Sequence, residues 1–255
     1  MSGVRLHVAG SVAELQLQNP AKLNCLTVEM LDQLASHIEM IEAHAGIRAV
    51  VIIGEGEKAF CSGADIKAWA DLAPADFART WVRGGHRSLD RLARLHKPTV
   101  AALNGHAFGG GLELAAACDI RVISPEAAIA LPEAGVGIVP GWSGSQRLAR
   151  LIPEGMLKEM ALFGRRIGAD RLHACGFAAA IARDVRSAAQ EIAGRVAALS
   201  PRATEITKAM IHAGLGEDSA ALIEALGSAA IAATPDRAEG VAAFQGKRKA
   251  EFPGT

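Results

Sequence analysis

The chain has 255 residues, and half of them are hydrophobic, which is enough for one buried core with an appendage. Lysine plus arginine equals aspartate plus glutamate at 27 each, so the formal net charge of zero argues against nucleic-acid and anionic-membrane binding. No apolar stretch reaches the roughly 18 residues that span a bilayer, and no secretory signal opens the sequence, so we expect a cytoplasmic protein. The cysteines are too scattered to predict a metal site or a disulfide framework: Cys25, Cys61, Cys118 and Cys175.

Strand and helix patterns alternate up to about residue 182, which is typical of an α/β fold. Alternating apolar residues around Gly10 predict a hairpin, and Thr27 is placed to cap the first helix. Continuous apolar runs at 49–54 and 99–104 predict strands that are covered on both faces. The predicted strands are 4–9, 12–18, 49–54, 99–104, 119–124 and 127–131, and the predicted helices are 27–45, 74–95, 110–117 and 143–151.

Strand signals stop after residue 182, and the rest of the chain reads as helices. The predicted helices are 185–199, 201–213, 217–233 and 236–251. We therefore expect a core domain at 1–195 that holds the site and a helical C-terminal region at 196–255. Apolar faces in this region, for example at Met210 and Ile223, predict packing either on the core or against another subunit.

A glycine-rich turn joins the predicted strand at 99–104 to the short helix at 110–117. Three consecutive glycines, Gly109, Gly110 and Gly111, leave backbone N–H groups accessible where the helix begins. Such groups can hold an anion or a developing oxyanion. The spacing fits neither a Walker A loop nor G-x-G-x-x-G, and a phosphate loop or a packing turn are the alternatives.

Two glutamates stand in glycine-rich or apolar surroundings. Glu113 follows the glycines in the first helical turn, where its alternative role is an interaction with its own helix dipole, worth about 0.3–1 kcal/mol. Glu133 is the only ionisable residue between Glu126 and Arg147, so an apolar cavity would raise its pKa and let it donate a proton. The alternative for Glu133 is a surface carboxylate beside the turn at Pro132.

A second loop, at 60–67, leads through small residues from the strand at 49–54 into a helix, so its N–H groups are also free. On its own it is an ordinary loop in which Asp65 caps the helix.

These segments together resemble the enoyl-CoA hydratase/isomerase (crotonase) superfamily, in order and over nearly the whole chain. Residues 104–119 resemble N-G-x-x-x-G-G-G-x-E-L-x-x-x-C-D, and residues 60–67 resemble F-x-A/S-G-A-D-I/L-x. Residues 19–26 are similar to N-x-P-x-x-x-N-A-L with Cys25 in place of alanine, and residues 239–248 are similar to the closing E-G-x-x-A-F-x-E-K-R. The resemblance implies a crotonase-like spiral of ββα repeats with a C-terminal helical region.

The resemblance also implies the roles of particular residues. The N–H groups of Ala64 and Gly110 would form an oxyanion hole for a thioester carbonyl, and Glu113 and Glu133 would be the catalytic pair. The expected coenzyme A contacts are Lys22, Ala64, Asp65, Ile66, Lys67, Gly141, Phe244 and Lys247. Lys22 and Lys247 are equally consistent with solvated surface lysines. No cofactor is expected, because coenzyme A is part of the substrate.

The family's hydratases typically have two catalytic glutamates, and this chain has a glutamate at both positions, Glu113 and Glu133. The resemblance therefore implies that the protein adds water to a trans-2-enoyl-CoA to give a 3-hydroxyacyl-CoA. The alternatives are another acyl-CoA reaction of the same fold, namely isomerisation, dehalogenation, decarboxylation or hydrolysis, and a non-catalytic RNA-binding role. The family also implies a homotrimer or homohexamer.

One departure from the family's pattern concerns the segment 140–147, where many hydratases read P-G-A-G-G-T-Q-R. Here Trp142 replaces a small residue. Inside the acyl pocket its bulk would favour a small or unusual acyl group; on the surface it would pack against a neighbouring subunit.

Overall fold

The computed structural model of the protein describes residues 2–68 and 70–254. It divides the chain into two compact units, Met1–Thr204 and Glu205–Thr255. The domain boundary predicted at residue 195 coincides with the end of a helix shortly before this division. None of the helices in the described part of the chain is long and apolar enough to cross a membrane.

The described strands all lie in the first unit. They are β1 (Gly3–Ala9), β2 (Val12–Gln18), β3 (Ala49–Gly54), β4 (Ala59–Cys61), β5 (Thr99–Leu103), β6 (His106–Phe108), β7 (Ile120–Ile123), β8 (Ala128–Ala130), β9 (Ile167–Gly168) and β10 (Ala180–Ile181).

The helices of the first unit cover the sheets and position the loops. They are α1 (Val28–Ala43), α2 (Pro74–Asp76), which continues through a π-helical stretch (Phe77–Val82) into α3 (Arg83–Arg94), then α4 (Gly110–Ala116), α5 (Gly144–Leu151), α6 (Glu154–Phe163), α7 (Ala169–Ala174) and α8 (Val185–Arg195). Three more follow: α9 (Pro201–Gly214), which crosses the division, and α10 (Ser219–Ala232) and α11 (Pro235–Gln245) in the second unit.

From β3 to β8, consecutive strands lie alternately in two different sheets. The larger sheet has the order β1-β2-β3-β5-β7-β10, with β1 and β2 antiparallel and the remaining pairs parallel. The smaller sheet has the order β4-β6-β8-β9. The chain therefore runs β3-β4-helix, β5-β6-α4 and β7-β8-α5, so the predicted spiral of ββα repeats is confirmed.

The core follows from the apolar runs. Every residue of β3 and of β5 is buried, as expected for parallel strands covered on both faces. On one side α1 contributes its apolar stripe, which begins at Met30, where the Met30 N–H donates to the Thr27 side chain. On the other side α8 packs on the sheet through Val185 and Ala189.

The two sheets meet where β3 and β5 end. The Asn104 side chain both accepts from the Gly54 N–H and donates to the Gly54 carbonyl, each at 3.0 Å. A Cβ on Gly105 would lie 2.4–2.5 Å from backbone atoms of Lys58 and Ala59. This close backbone approach aligns β6 beside β4, and through them it sets the positions of the loops at the cavity described below.

Some boundaries differ from the sequence predictions for local physical reasons. The helix predicted at 236–251 is wrong beyond Gln245, because the chain after it folds back and Arg248 pairs with Glu239 at 2.6 Å. The helix predicted at 74–95 does continue through Gly84 and Gly85, which both lie in α3. The short strands β4 and β6 escaped prediction because three residues are too few to establish a period.

Replacing Gly105 by alanine tests the contact between the sheets. Because the obstructing atoms are backbone, we expect Gly105→Ala to lower the free energy of unfolding by about 1–3 kcal/mol in urea titrations. Gly194→Ala in α8, where nothing lies within 4 Å of the added Cβ, is the matched control and should be neutral or stabilising. Equal stability of the two variants would contradict the proposed tight contact.

Candidate active site

A cavity of about 620 Å³ opens in the first unit between the start of α4, the loop that follows β8 and the π-helical stretch. Its lining is mainly apolar and includes Phe77, Trp81, Val82, Ile138, Val139 and Trp142. Two carboxyl side chains reach it, from Glu113 and Glu133. The cavity therefore combines an apolar wall with two acids, as catalytic pockets commonly do.

The three glycines at the start of α4 each admit a different neighbour. A Cβ on Gly109 would lie 2.9 Å from Glu133 Oε1, and one on Gly110 would lie 2.6 Å from the Trp142 ring. A Cβ on Gly111 would lie 2.2 Å from the Cys61 carbonyl oxygen. Packing thus requires glycine at all three positions, and it brings the Glu133 carboxyl and the Trp142 ring close to the start of α4.

Two residues with backbone N–H groups unused by the described part of the chain, Ala64 and Gly110, lie close together at this turn. The Ala64 nitrogen lies 3.5 Å from the point where a Cβ on Gly110 would sit. Leu26 binds the neighbours of Ala64, since its N–H donates to the Gly63 carbonyl and its carbonyl accepts from the Asp65 N–H, both at 2.8 Å. Within the described residues the Ala64 N–H has no acceptor, and Gly110, as the first residue of α4, has an N–H that the helix does not use.

Glu113 is hydrogen-bonded to the loop that leads into α5. Its side chain is 2% exposed, and its Oε1 accepts hydrogen bonds from the Trp142 and Gly144 N–H groups, both at 2.8 Å. Burial raises its pKa, and the two N–H donors act in the opposite direction by stabilising the charged form. The dipole of its own helix is therefore not its main partner, and the carboxylate is fixed in orientation.

Glu133 has the opposite environment. It begins a short 3₁₀ helix (Glu133–Val136), is 7% exposed, and its buried Oε2 has no hydrogen-bond partner among the described residues. Burial raises its pKa to about 7; a hydrogen bond from its own backbone N–H opposes this shift, and the charge of Glu113 adds a smaller increase. The surface-carboxylate interpretation is wrong, and near neutral pH Glu133 is poised to hold and release a proton.

Trp142 lies inside the unit and lines the cavity. It is 2% exposed, and its ring centre is 5.5 Å from that of Trp81 at an interplanar angle of 50°. Its carbonyl accepts from the Arg147 side chain, whose other nitrogen pairs with Asp90 on α3 at 2.7 Å. A surface position for Trp142 is thus excluded.

The cavity rim carries several of the predicted coenzyme A contacts. Ile66 and Gly141 line the cavity, and Ile66 is half exposed. Lys22 is paired with Asp65 at 2.8 Å, and the other oxygen of Asp65 accepts from the Lys67 N–H, so Asp65 does cap the turn there. The ion pair raises the pKa of Lys22 and lowers that of Asp65. Lys22 is therefore placed beside the loop of Ala64 and is not an isolated surface lysine.

Phe244 and Lys247 belong to the second unit. The Phe244 side chain, in α11, is largely exposed, and Lys247 follows the helix in a left-handed conformation, with φ 49°. Their assignment to coenzyme A binding stays a prediction.

Sequence reasoning missed the contribution of the helix that contains the π-helical stretch. Phe77, Trp81 and Val82 line the cavity, and His86 in α3 is 2.7 Å from the Ser143 hydroxyl. Ser143 has φ 66°, a strained value for a residue with a side chain. The signal available in the sequence was the pair of glycines, Gly84 and Gly85, in an otherwise good helix.

Comparison with known proteins agrees with this geometry. Residues 7–255 match the model of the enoyl-CoA hydratase/isomerase family. YngF of Bacillus subtilis, whose name leaves open which of the two activities it has, is 40% identical over 95% of both chains. The short-chain-enoyl-CoA hydratase of Clostridium acetobutylicum is 34% identical, with 98% of this chain and 97% of the relative covered.

Solved structures give the same result. An enoyl-CoA hydratase from Bacillus anthracis superposes with a TM-score of 0.81 at 33% identity, covering 99% of both chains. The fold is therefore that of the crotonase class. The chain belongs to the enoyl-CoA hydratase/isomerase family.

The raised pKa of Glu133 predicts how stability changes with pH. The folded protein retains this proton up to about pH 7, whereas the unfolded chain loses it near 4.5, so stability falls as pH rises between these values. At 1.36 kcal/mol per pKa unit the loss is about 3 kcal/mol. Glutamine does not ionise, so the Glu133→Gln variant does not lose this stability. In urea titrations, the unfolding free energy of the variant relative to the wild type should rise by a few kcal/mol between pH 5 and pH 8.

Glu126→Gln is the control for this measurement, because hydrogen bonding to Ser124 lowers the pKa of Glu126. Its effect should show no such growth with pH. An advantage of Glu133→Gln that stays constant from pH 5 to pH 8 would mean that Glu133 ionises normally.

Proposed function

We propose that the protein hydrates a trans-2-enoyl-CoA to a 3-hydroxyacyl-CoA. The observation that carries the proposal is the pair of acids in one cavity with opposite environments. Glu113 is oriented by two N–H donors, while Glu133 is buried with one carboxyl oxygen, Oε2, left without a hydrogen-bond partner among the described residues, and has a pKa of about 7. Addition of water needs one group to activate water and another to give a proton, and this pair supplies both.

The thioester carbonyl binds between the Ala64 and Gly110 N–H groups. Both are unused by other described residues or by the helix, and both belong to residues that line the cavity. As water adds, negative charge develops on the thioester oxygen, and these donors stabilise the enolate. Losing one such donor costs about 2.7–4 kcal/mol of barrier height in enzymes that use them.

Glu113 orients the water and takes its proton as the oxygen bonds to the β-carbon. Glu133 gives its proton to the α-carbon as the enolate collapses back to the thioester. The product gains the hydroxyl of water and the proton of Glu133, while Glu113 keeps the proton taken from water. The pair returns to its starting state when Glu113 releases a proton to solvent and Glu133 takes one up. Both carboxyls lie on the same cavity, which favours addition to one face of the double bond.

The coenzyme A part of the bound substrate is proposed to extend out of the cavity along the loop that contains Ala64 and Ile66. Lys22 stands beside this loop and offers a cation to the phosphates, in competition with Asp65. Lys67, Gly141, Phe244 and Lys247 remain further proposed contacts. No cofactor takes part in this scheme, since the activating group is the thioester of the substrate.

The acyl group is proposed to be short. Trp142 occupies the wall next to Gly110, where the carbons that follow the thioester would lie, and Trp81 packs against the Trp142 ring. Two relatives point the same way: the short-chain-enoyl-CoA hydratase above and the crotonyl-CoA hydratase of Syntrophomonas wolfei, 33% identical over 94% of both chains.

Assembly into a trimer or hexamer is proposed from the second unit. Several large apolar side chains there are exposed in the single chain: Met210, Ile211, Leu215, Ile223, Leu226, Ile231 and Phe244. Association would remove such a surface from water.

Replacing each acid by its amide tests the reaction. With a short trans-2-enoyl-CoA, hydration is followed by loss of absorbance of the conjugated thioester. Glu113→Gln and Glu133→Gln should each lower kcat by about 10²–10⁴ while the fold is kept. Glu126→Gln, outside the cavity, should match the wild type.

Absence of hydration with short, long, branched and aromatic substrates would reject the hydratase assignment. The same samples should then be examined for double-bond migration, because an isomerase of this fold would move a proton without consuming water.

The pH dependence of kcat/KM gives an independent test of the acid. Glu133 must be protonated in the free enzyme to act as the donor, so kcat/KM for hydration should fall above pH about 7. Initial rates at low substrate concentration from pH 5 to pH 9 measure this. A profile that stays level up to pH 9 would contradict the role of Glu133.

A further inference from the structure

The Trp142 indole lies between two glycines, one at each edge of the ring. A Cβ on Gly85 would be 2.2 Å from the Trp142 Cε2 and Nε1 atoms and 2.7 Å from Cζ2. At the opposite edge, a Cβ on Gly110 would be 2.6 Å from Cζ3. Contacts this short do not occur for real Cβ atoms, so each glycine leaves room for the ring.

The backbone of Trp142 cannot yield easily. Its N–H is bonded to Glu113 at 2.8 Å, and its carbonyl accepts from Arg147, which is itself paired with Asp90. The neighbouring Gly144 N–H is bonded to Glu113 as well. A ring displaced from the side of Gly85 therefore moves toward Gly110 and the cavity, since its own backbone is held in place.

The two glycines of α3 differ in what surrounds them. Around Gly84 nothing lies within 4 Å of an added Cβ, whereas Gly85 faces the indole. Each glycine in a helix interior costs about 1 kcal/mol relative to alanine. Packing against Trp142 accounts for glycine at position 85 and gives no reason for glycine at position 84.

We propose that Gly85 is a positioning residue that sets the acyl specificity of the site by seating Trp142. Gly85 does not line the cavity; it acts through the ring that does. This inference rests on the proposed function in one respect, that an acyl-CoA occupies the cavity. With Gly85 in place the indole packs directly against α3, and its opposite edge, beside Gly110, forms the wall that limits the acyl chain.

Opposite changes follow at the two positions. Gly85→Ala pushes the ring into the space of the acyl chain, so binding of even a short chain should weaken. Trp142→Ala removes the wall and should favour longer chains. One methylene in an apolar pocket is worth roughly 10- to 200-fold in discrimination, so tenfold changes are the expected scale.

The experiment measures binding by calorimetry, with free coenzyme A and with butanoyl-, hexanoyl- and octanoyl-CoA, which are saturated and cannot be hydrated. Gly85→Ala should bind butanoyl-CoA at least tenfold more weakly than the wild type, with free coenzyme A unchanged. Gly84→Ala should match the wild type with every ligand. Trp142→Ala should shift the ratio of octanoyl- to butanoyl-CoA affinity upward by at least tenfold.

The double variant Gly85→Ala/Trp142→Ala separates a specific effect from general damage. It should fold and behave as Trp142→Ala does, even if Gly85→Ala alone fails to fold, because the clash has been removed. The inference is overturned if the double variant does not fold, if Gly85→Ala weakens free coenzyme A equally, or if Gly84→Ala and Gly85→Ala bind butanoyl-CoA alike.

Hydration assays on the same proteins distinguish this inference from the proposed function. The predicted binding pattern without hydration of any enoyl-CoA would reject the hydratase and keep the role of Gly85. Hydration without the binding pattern would keep the hydratase and reject the role of Gly85. Failure of every variant and of the wild type to bind acyl-CoA would reject both.

Discussion

The close approach of three chain segments to the run Gly109-Gly110-Gly111 is the constraint on which the site depends. At successive glycines a side chain would meet the Glu133 carboxyl, the Trp142 ring and the Cys61 carbonyl. The same run begins α4, whose first N–H groups are unused by the helix, and carries Glu113 into the cavity. The glycine run and the helix that it begins thus set the positions of Glu113, the Trp142 ring and the Gly110 N–H group relative to each other.

The difference between the two glutamates in pKa and hydrogen bonding is an effect of their surroundings. Both are buried, and burial raises both pKa values. For Glu113, hydrogen bonds from two N–H donors replace part of the lost contact with water. Glu133 has one oxygen without a hydrogen-bond partner among the described residues, and the charge of Glu113 raises its pKa further. A buried carboxyl with a raised pKa makes the native state less stable at neutral pH, as expected if Glu133 has the role proposed for it.

Much of the fold and the composition of the site could be predicted from the sequence, because both depend on local patterns and ordered motifs. The buried runs gave β3 and β5, and the glycine run with Glu113 marked the turn. What could not be predicted depends on contacts between distant segments. The Trp142 ring packs against Gly85, which lies far earlier in the chain. The hydrogen bonds that hold Glu113 come from Trp142 and Gly144, 29 and 31 residues later.

A crystal structure with a saturated short acyl-CoA tests the central claim most directly. The account predicts that the thioester oxygen lies about 2.7–3.1 Å from both the Ala64 and the Gly110 nitrogen atoms. It also predicts that the α- and β-carbons lie between the Glu113 and Glu133 carboxyls. A thioester bound elsewhere in the cavity, or an oxygen that meets neither N–H group, would contradict it.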